Sequence, residues 1–503
     1  MSIKSIIAQW IARKAIHRIE KQSANAILDQ KKWFEQLLNI GKKIAYGTEK
    51  GFSNFEGYTE YSLGHPIQHY EDFIPYIERI KGGEKDVLWK GLPLYFAKTS
   101  GTTAGAKYIP ISHESMPHHI AAARNALLCY IAKSGNSDFV SGKMIFLQGS
   151  PVLDYLSSGI AVGRLSGIVA HHIPGYLQKN RLPKFETNSI EDWETKVNAI
   201  ADETIPEDMR LISGIPSWVQ MYFEILIQKT GKPNIKQIFP DFSLFVFGGV
   251  HFEPYRKRMQ ELIGGPIDIV ETFPASEGFF AYQDDYQRDD LLLNTDAGIF
   301  YEFVKTNEYF DEKPKRYPLW EVETDVQYAL IITTNAGLWS YSIGDTIKFT
   351  HLNPFRIKVT GRIKHYTSAF GEHVIAEEVE KAISITMEKF QFAIDEFHVA
   401  PMIATQNELP YHEWWIECKQ PPSDPSVIAA FLDDQMVRQN IYYKDLIIGK
   451  VLQPLKIRWL PSGTFHGAMK QQGKLGGQNK MPRLANDRTF ADLLLSAQSP
   501  SES

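Results

Sequence analysis

The sequence predicts an α/β protein with a large N-terminal domain, residues 1–361, and a smaller mobile α+β C-terminal domain, residues 362–503. Three observations lead to this prediction. The chain has 503 residues, and two or more domains are expected at this size. From residue 92 onward, strand-like apolar runs alternate with helical ones, which favours mostly parallel sheets flanked by helices. After residue 350 the composition changes, and the order of strands and helices is typical of an α+β domain.

The first 44 residues read as helices. Apolar side chains recur there at helical spacing, but Gln9, Arg13 and Lys14 interrupt them. The segment is therefore not a signal peptide, because a signal peptide needs an unbroken apolar region. We expect the first helix to dock on the body of the protein, and a helix on a membrane surface is the alternative. Since no transmembrane run is present, we expect a cytoplasmic protein without integral membrane contact.

Composition narrows the class of partner. The formal net charge of −5 is small for this length and gives no reason to expect nucleic acid or an anionic membrane as the main partner. The two cysteines, Cys129 and Cys418, are far apart and lack the spacing of a metal site. This pattern indicates a reducing compartment, and we interpret both as buried, inert thiols.

The secondary structure follows from periodicity and from turn residues. In the N-terminal domain we expect strands at 144–147, 209–212, 244–247 and 267–270, helices at 217–229 and 254–263, and an antiparallel β subdomain from 299–303, 321–324 and 328–333. After residue 350 we expect strands at 357–362, 396–404 and 413–418 and helices at 377–389, 426–440 and 487–495. The segment 463–483 is rich in Gly, Gln and Lys and is predicted to be a mobile loop.

The most informative segment is residues 96–112, which read F-A-K-T-S-G-T-T-A-G-A-K-Y-I-P-I-S. Hydroxyl residues, glycines and a lysine in one run allow amides, hydroxyls and an ammonium group to bind a polyphosphate together. The run is not a P-loop, because Ala106 separates Gly105 from Lys107 and Tyr108 follows where that motif needs Ser or Thr. A flexible linker between domains is the alternative.

A second motif, E-T-F-P-A-S-E-G at 271–278, follows directly on a predicted strand. Ligands bind beyond the carboxyl ends of strands in open parallel sheets. An aromatic residue such as Phe273 can stack on a purine, the hydroxyl of Ser276 can bind a phosphate, and the carboxylate of Glu277 can hold Mg²⁺. A polar loop with Phe273 packed in the core is the alternative.

Three further residues complete the pattern. Asp345, after a glycine turn at a predicted strand end, can accept hydrogen bonds from both ribose hydroxyls. Arg362, in T-G-R at the predicted domain boundary, can contact ribose or phosphate while the next residues act as a hinge. Lys480 stands in Q-N-K-M-P-R within the predicted mobile loop. Taken singly, an ordinary turn and a solvated lysine are the alternatives.

In this order the motifs resemble those of the adenylate-forming superfamily, which contains acyl- and aryl-CoA synthetases, luciferases and nonribosomal adenylation domains. Within it, the chain is similar over nearly its whole length to the auxin-responsive (Gretchen Hagen) family of acyl-acid amido synthetases. The resemblance implies ATP and Mg²⁺ as cofactors and a small carboxylic acid and an amino acid as substrates. The activity it implies is formation of an acyl-adenylate, followed by transfer of the acyl group to the amine.

The resemblance also implies roles for individual residues. The phosphate loop would contain Thr99, Ser100, Gly101, Thr102, Thr103 and Lys107, and the adenine segment Gly248, Gly249 and Val250. Phe273 would stack on the base, Ser276 and Glu277 would bind phosphate and magnesium, and Asp345 and Arg362 would bind the ribose side. Lys107, Glu277 and the late lysine Lys480 would be catalytic, although Lys474, in G-K-L, is an alternative for the late lysine.

The acyl pocket is expected partly on the helix after the phosphate loop, where Arg124 could pair with the substrate carboxylate. An ordinary surface position is the alternative for Arg124. Trp218 and Tyr222 are further pocket candidates, and core packing is the alternative for both. Two other functions stay open: an acyl-CoA ligase that shares the adenylation step, and an inactive nucleotide-binding paralogue. The sequence names neither the acid nor the amine, and it leaves the oligomeric state open.

Overall fold

A computed structural model describes residues 2–99, 107–173, 178–248, 252–363, 366–367, 374–402, 409–448, 452–473, 481–485 and 487–498. The chain divides into two compact units. Unit 1 contains Met1–Val250, Gln260–Ile343 and Ile347–Val359, and unit 2 contains His251–Met259, Gly344–Thr346 and Thr360–Ser503. The predicted domain boundary at residue 362 stays a prediction.

The helices are α1 Ile3–Ala24, α2 Ala26–Gly41, α3 Ala45–Glu49, α4 Tyr58–Gly64, α5 Tyr70–Lys81, α6 Met116–Ser134, α7 Leu165–Ala170, α8 Phe185–Asn188, α9 Trp193–Thr204, α10 Pro216–Thr230, α11 Ile235–Ile238, α12 Glu253–Ile263, α13 Ala376–Phe390, α14 Pro425–Gln439, α15 Ile441–Ile448, α16 Thr464–Gln471 and α17 Thr489–Gln498. Their ends follow local chemistry. At the start of α5, the His69 backbone N–H donates to Asp72 Oδ2 at 2.8 Å. The helix α10 begins with Pro216 and ends before Gly231, whose left-handed φ of 67° favours glycine.

The strands are β1 Tyr95–Thr99, β2 Lys107–Ile111, β3 Lys143–Phe146, β4 Asp154–Tyr155, β5 Ala161–Gly163, β6 Arg181–Leu182, β7 Met209–Ser213, β8 Leu244–Gly248, β9 Asp268–Ala275, β10 Gly278–Tyr282, β11 Leu291–Leu293, β12 Ile299–Lys305, β13 Tyr317–Pro318, β14 Gln327–Thr334, β15 Tyr341–Leu352, β16 Phe355–Arg362, β17 Tyr366–Thr367, β18 Val374–Ile375, β19 Glu396–Met402, β20 Tyr411–Glu417 and β21 Lys456–Leu460. The α/β class predicted from the alternation is confirmed.

The largest sheet has the order β13-β12-β14-β15-β16-β11-β10-β9-β8-β7-β3-β6. The strands β6, β3, β7, β8 and β9 pair in parallel, and the pairs from β9 to β10, β10 to β11 and β11 to β16 are antiparallel. The predicted antiparallel strands therefore continue the parallel sheet. One expected strand, 321–324, is wrong: a 3₁₀ helix occupies Leu319–Glu321, because Leu319 and Val322 are both buried at the three-residue spacing of that helix.

A smaller sheet of unit 1 has the order β2-β1-β5-β4. One large hydrophobic cluster joins this sheet to α2–α5 and to the antiparallel strands, through residues such as Phe34, Phe73, Phe96 and Phe300. A second cluster packs α1 and α6 against the parallel strands through Ala12, Ala126, Leu211 and Val270. The prediction that α1 docks on the body of the protein is confirmed.

Unit 2 is built on the sheet β19-β20-β21, with β19 antiparallel and β21 parallel to β20. The prediction of a loop over 463–483 is wrong in part, because α16 lies within it. Phe465, Ala468 and Met469 are buried at the spacing of one helix face, and this burial stabilises the helix. Residues 474–480 lie outside the described part of the chain.

Both cysteines are buried, as predicted. Burial raises the pKa of Cys129 to about 12 and that of Cys418 to about 11, so both thiols stay protonated near neutral pH. Among the helices that the structure describes, none combines the length and apolar character needed to cross a bilayer.

Candidate active site

The ends of the glycine–hydroxyl loop are fixed by strand pairing. The strands β1 and β2 are antiparallel, and Thr99 lies directly opposite Lys107. The loop between them, with Ser100, Gly101, Thr102 and Thr103, lies outside the described residues. Because both strands belong to one sheet of unit 1, the alternative of a linker between domains is wrong.

Tyr70 positions the start of β2. Its hydroxyl accepts a hydrogen bond of 2.7 Å from the Tyr108 backbone N–H, and the Lys107 Nζ lies 5.2 Å from the centre of its ring. Burial raises the pKa of Tyr70, so the hydroxyl stays neutral at physiological pH. The first residue of α5 thereby holds the backbone beside Lys107 and leaves an ammonium group at the base of the loop.

The second motif differs from its prediction. It is mostly strand, because β9 runs through it to Ala275 and β10 begins at Gly278. Pairing with β8 on one side and β10 on the other extends β9 beyond the apolar run that the sequence shows. Ser276 and Glu277 are left as the two-residue turn of a hairpin, with Ser276 buried and Glu277 half-buried. The structure therefore places Ser276 and Glu277 together in the turn between β9 and β10.

Gly248, at the end of β8, is required by its close approach to β9. A Cβ atom at this position would lie 2.5 Å from the Thr272 backbone oxygen and 2.7 Å from Thr272 Oγ1. That hydroxyl already donates to the Phe247 carbonyl at 2.8 Å. Gly249 and Val250 lie outside the described residues.

The ring of Phe273 is packed in the core. It is 5% exposed and meets the ring of Phe280 edge-on, with 5.2 Å between the ring centres. The alternative of a core-packed Phe273 fits this geometry, since little of the ring remains to cover a purine. Stacking on the base stays a prediction.

Asp345 and Arg362 belong to unit 2. The prediction that Asp345 follows a turn at a strand end is wrong, since β15 continues through it to Leu352. Gly344, with φ of 83°, instead bends the strand locally, and its carbonyl accepts a 2.7 Å hydrogen bond from the Ile363 N–H. This bond brings the backbone after Arg362 next to Gly344. The side chain of Arg362 lies outside the described residues.

The late motif ends in a buried charge cluster that the sequence reasoning missed. Lys480 and Lys474 lie outside the described residues, but Met481, Pro482 and Arg483 follow at once. Arg483 Nε donates to Glu396 Oε1 at 2.8 Å, and its Nη1 donates to Glu380 at 3.2 Å. No sequence signal marks this cluster, because Glu396 lies 87 residues away along the chain.

The three candidates for the acyl pocket lie on two helices. Arg124 is an exposed residue of α6, and it forms no ion pair with the residues that the structure describes. Tyr222 is fully buried on α10, where its hydroxyl lies 2.6 Å from Thr204 Oγ1. Trp218 packs its ring 4.5 Å from that of Trp193. The two aromatics thus join α10 to α9, and their pocket role stays a prediction.

A pair of cations that the sequence reasoning also missed lies beyond the end of β3. Lys196 is 2% exposed, and its ammonium donates to the carbonyls of Gln148 at 3.0 Å and Asn188 at 2.6 Å. Arg164 packs against Gly149, where an added Cβ would lie 2.5 Å from Arg164 Cδ. Among the described residues, neither cation has a carboxylate partner.

Electrostatics and hydrogen bonding both mark this pair as a place for an anion. Burial lowers the pKa of Arg164, and burial together with the charge of Arg164 lowers the pKa of Lys196 to about 8. The amide nitrogen of Gln148 is buried and has no hydrogen-bond partner in the described part of the chain. The pair lies at the carboxyl edge of the parallel strands, the edge at which β8 also ends with Gly248.

Three family models match the chain in consecutive order. The GH3 family N-terminal domain matches residues 15–189, the GH3 family central domain residues 292–362, and the GH3 family C-terminal domain residues 377–489. The chain belongs to the GH3 family. The resemblance inferred from the motifs is therefore confirmed.

Two curated plant enzymes are similar to two thirds or more of the chain. It is 22% identical to an indole-3-acetic acid-amido synthetase of Arabidopsis thaliana, GH3.3, over 96% of this chain and 93% of the relative. It is 21% identical to the jasmonoyl–L-amino acid synthetase JAR4 of Nicotiana attenuata, over 67% and 71% of the two chains.

Solved structures confirm the fold. The structure of the GH3.15 acyl acid amido synthetase superposes with a TM-score of 0.79 at 15% identity, over 96% of this chain and 95% of that one. A 2-hydroxyisobutyryl-CoA ligase in its postadenylation state superposes with a TM-score of 0.57 at 11% identity, over 97% and 92% of the two chains. At these identities the likeness concerns the fold alone.

Proposed function

We propose that this GH3-family chain is an ATP-dependent acyl-acid amido synthetase, which joins a small carboxylic acid to an amino acid through an acyl-adenylate. The observation that carries the proposal is the pairing of Thr99 with Lys107 across β1 and β2. This pairing holds Thr99 and Lys107, the two ends of the glycine–hydroxyl run, opposite each other in one sheet. A run of this composition that begins and ends at neighbouring strand positions, with a lysine at one end, suits a polyphosphate.

In the first half-reaction, a carboxylate oxygen of the acid attacks the α-phosphorus of ATP, and the bond to the bridging oxygen of pyrophosphate breaks. Thr99, Lys107 and the loop residues between them would hold the departing pyrophosphate. Ser276 would donate to a phosphate oxygen, and Lys480 would stabilise the charge on the reacting groups. The segment from Gly248 to Val250 and Phe273 would line the adenine, while Asp345 and Arg362 would bind the ribose.

Glu277 would hold Mg²⁺ together with the nucleotide phosphates. The described residues contain no cluster of three or more His, Cys, Asp or Glu that would hold a metal without help. This fits Mg²⁺, which commonly binds through one or two carboxylates and the phosphates of its nucleotide. When bound, the ion would neutralise charge that develops on the phosphates.

In the second half-reaction, the amine attacks the acyl carbon, loses a proton and expels AMP. No protein nucleophile is needed, because the adenylate is already activated. Arg164 and Lys196 supply the positive charge for a carboxylate of the acceptor, while Arg124 is the candidate for the acyl acid. Residues 362–503 would act as a lid that moves about a hinge at 362–365 between the two half-reactions. The two inert thiols fit a cytoplasmic enzyme.

The adenylation step is tested by carboxylate-dependent exchange of labelled pyrophosphate into ATP across a panel of acids. We expect exchange with at least one acid and its loss by about 100-fold or more in Lys107→Met and Glu277→Gln. The matched control is Lys98→Met, an exposed lysine of the same hairpin, which should exchange like the unchanged chain. Failure of every acid would favour an inactive paralogue.

The transfer step is tested with the best acid and a panel of amino acids, with coenzyme A as a separate arm. An amide product that appears together with AMP supports the proposal. A thioester formed with coenzyme A, without any amide, would instead identify an acyl-CoA ligase.

A further inference from the structure

The helix α1 has two apolar faces. The inner face places Ala12, Ala15 and Ile19 in the core shared with α6. The outer face consists of Ile3, Ile6, Ile7, Trp10 and Ile11, residues that are 78%, 57%, 53%, 58% and 42% exposed. Their spacing of three and four residues places them in one stripe along the first three turns.

The outward direction of this stripe is fixed by specific hydrogen bonds on the inner side. Ser5 Oγ donates to the Ser137 carbonyl and Ser137 Oγ donates to the Ser5 carbonyl, each at 3.2 Å. Gln9 Nε2 donates to the Gly135 carbonyl at 2.9 Å. Rotation of the helix to bury the stripe would break these bonds and expose Ala12. The outer face is therefore the face that a docked α1 presents.

The charged side chains of α1 are mostly basic. The helix has five basic side chains, Lys4, Arg13, Lys14, Arg18 and Lys21, and a single acidic one, Glu20, whereas the whole chain has a net charge of −5. Lys14 and Lys21 continue the outer stripe toward the end of the helix. The ammonium of Lys14 lies 3.6 Å from the centre of the Trp10 ring. The stripe is thus apolar in its first half and basic in its second half.

We propose that the outer face of α1 docks on the surface of an anionic lipid bilayer, with the helix parallel to the membrane plane. The isoleucines would enter the boundary between headgroups and acyl chains, where a tryptophan is also favoured. The basic side chains would bind lipid phosphates. Charge complementarity favours this partner over a second copy of the chain, because two copies of α1 would bring like charges together. The proposal is independent of the reaction proposed above.

The test is co-sedimentation of the full chain with two kinds of vesicle, one of phosphatidylcholine alone and one that also contains about 30% phosphatidylglycerol. The first has a neutral surface and the second a negatively charged one. We expect binding to the anionic vesicles, weaker binding in high salt and little binding to the neutral vesicles. The double variant Ile7→Gln/Trp10→Gln should lower the partition coefficient at least about tenfold. The variant Lys14→Glu/Lys21→Glu should abolish the preference for the anionic lipid.

The matched control is Leu63→Gln on α4, because Leu63 is 84% exposed and lies outside the outer face. It should bind vesicles like the unchanged chain. Circular dichroism and the thermal midpoint should agree between all variants, since exposed side chains are changed.

Three results would overturn the proposal. The first is equal sedimentation with the neutral and the anionic vesicles at low salt. The second is an equal loss of binding in the Leu63→Gln control. The third is a stable dimer in lipid-free sedimentation velocity that Ile7→Gln/Trp10→Gln dissociates, because the outer face would then be covered by a second copy.

Discussion

Replacement of Arg483 by methionine tests how the end of the late motif is held. Arg483 is 8% exposed and contacts two buried or half-buried glutamates, Glu396 and Glu380. Tyr255 donates to Glu396 Oε2 at 3.1 Å, and the guanidinium lies 5.1 Å from the Tyr255 ring centre. Burial opposes the charge of Arg483, but Glu396 outweighs it, so the pKa of Arg483 is raised and the group stays charged.

The expected loss of stability depends on how deeply the ion pair is buried and not on the distance between its charged atoms. Removal of one partner of a buried ion pair leaves an uncompensated charge and costs about 3–5 kcal/mol. The chain offers a matched control in Arg438, whose Nε lies 2.8 Å from Asp434, the same distance that separates Arg483 from Glu396. The Arg438 and Asp434 side chains are 68% and 44% exposed, so Arg438→Met should cost less than about 1 kcal/mol.

The measurement is hydrogen exchange of the β19 amides in unit 2, which reports local stability. A global unfolding experiment is not used, because a chain with two compact units need not unfold in a single two-state transition. Two amides report directly on this contact. The Val399 N–H donates to the Arg483 carbonyl, and the Ala485 N–H donates to the Val399 carbonyl. Arg483→Met should lower their protection far more than Arg438→Met does. The double variant Arg483→Met/Glu396→Gln should recover much of the loss, because the stranded charge is removed. Equal effects of the two single variants would refute the reasoning.

Three further outcomes are expected. Gly248→Ala should lower the opening free energy of the β8 and β9 amides in hydrogen exchange by about 1–3 kcal/mol, because the added Cβ would lie 2.5 Å from the Thr272 carbonyl. Gly467→Ala, in open space on α16, should leave the protection of the α16 amides without loss. Burial, aided by the charge of His118, lowers the pKa of His119 to about 4 from the ordinary 6.5. His119 should therefore contribute a fall of about 1.4 kcal/mol per pH unit in the opening free energy of the α6 amides between pH 6.5 and 4, because the unfolded state binds the proton more tightly. The fall measured by hydrogen exchange should be less steep in His119→Gln, and an unchanged slope would contradict this. Arg164→Met should raise the KM for the amino acid acceptor with little change in kcat, and an effect on kcat alone would exclude a binding role.

The sequence contained enough to predict the fold class and the family, because both depend on local patterns. Alternating apolar runs need only neighbouring residues to indicate strand and helix, and they predicted strands at 209–212 and 244–247 within a residue or two. The run from Thr99 to Lys107 carries its chemistry in adjacent residues. Its departure from P-loop spacing, with Tyr108 after the lysine, excluded a P-loop, and the later motifs in their order led to the resemblance to adenylate-forming enzymes.

Where the sequence reasoning was wrong, pairing with distant residues decided the structure. The motif at 271–278 contains Pro274 and polar residues and reads as a loop, but β8 and β10 hydrogen-bond to it on both sides and keep it extended. Asp345 reads as part of a turn because Gly344 precedes it. The neighbouring strands of the sheet instead carry β15 through this glycine.

The sequence by itself determined that the first residues form a helix, and it is the source of the prediction that the glycine–hydroxyl run binds polyphosphate. Only the tertiary structure decided which apolar face of α1 is buried, because helical periodicity is the same for either face until α6 supplies partners such as those of Ser5 and Gln9. It likewise decided that Arg483 pairs with Glu396 and Glu380, whereas Arg164 has no carboxylate partner among the described residues. The charge state of a group depends on which distant carboxylates fold next to it, and spacing along the chain contains no measure of that distance.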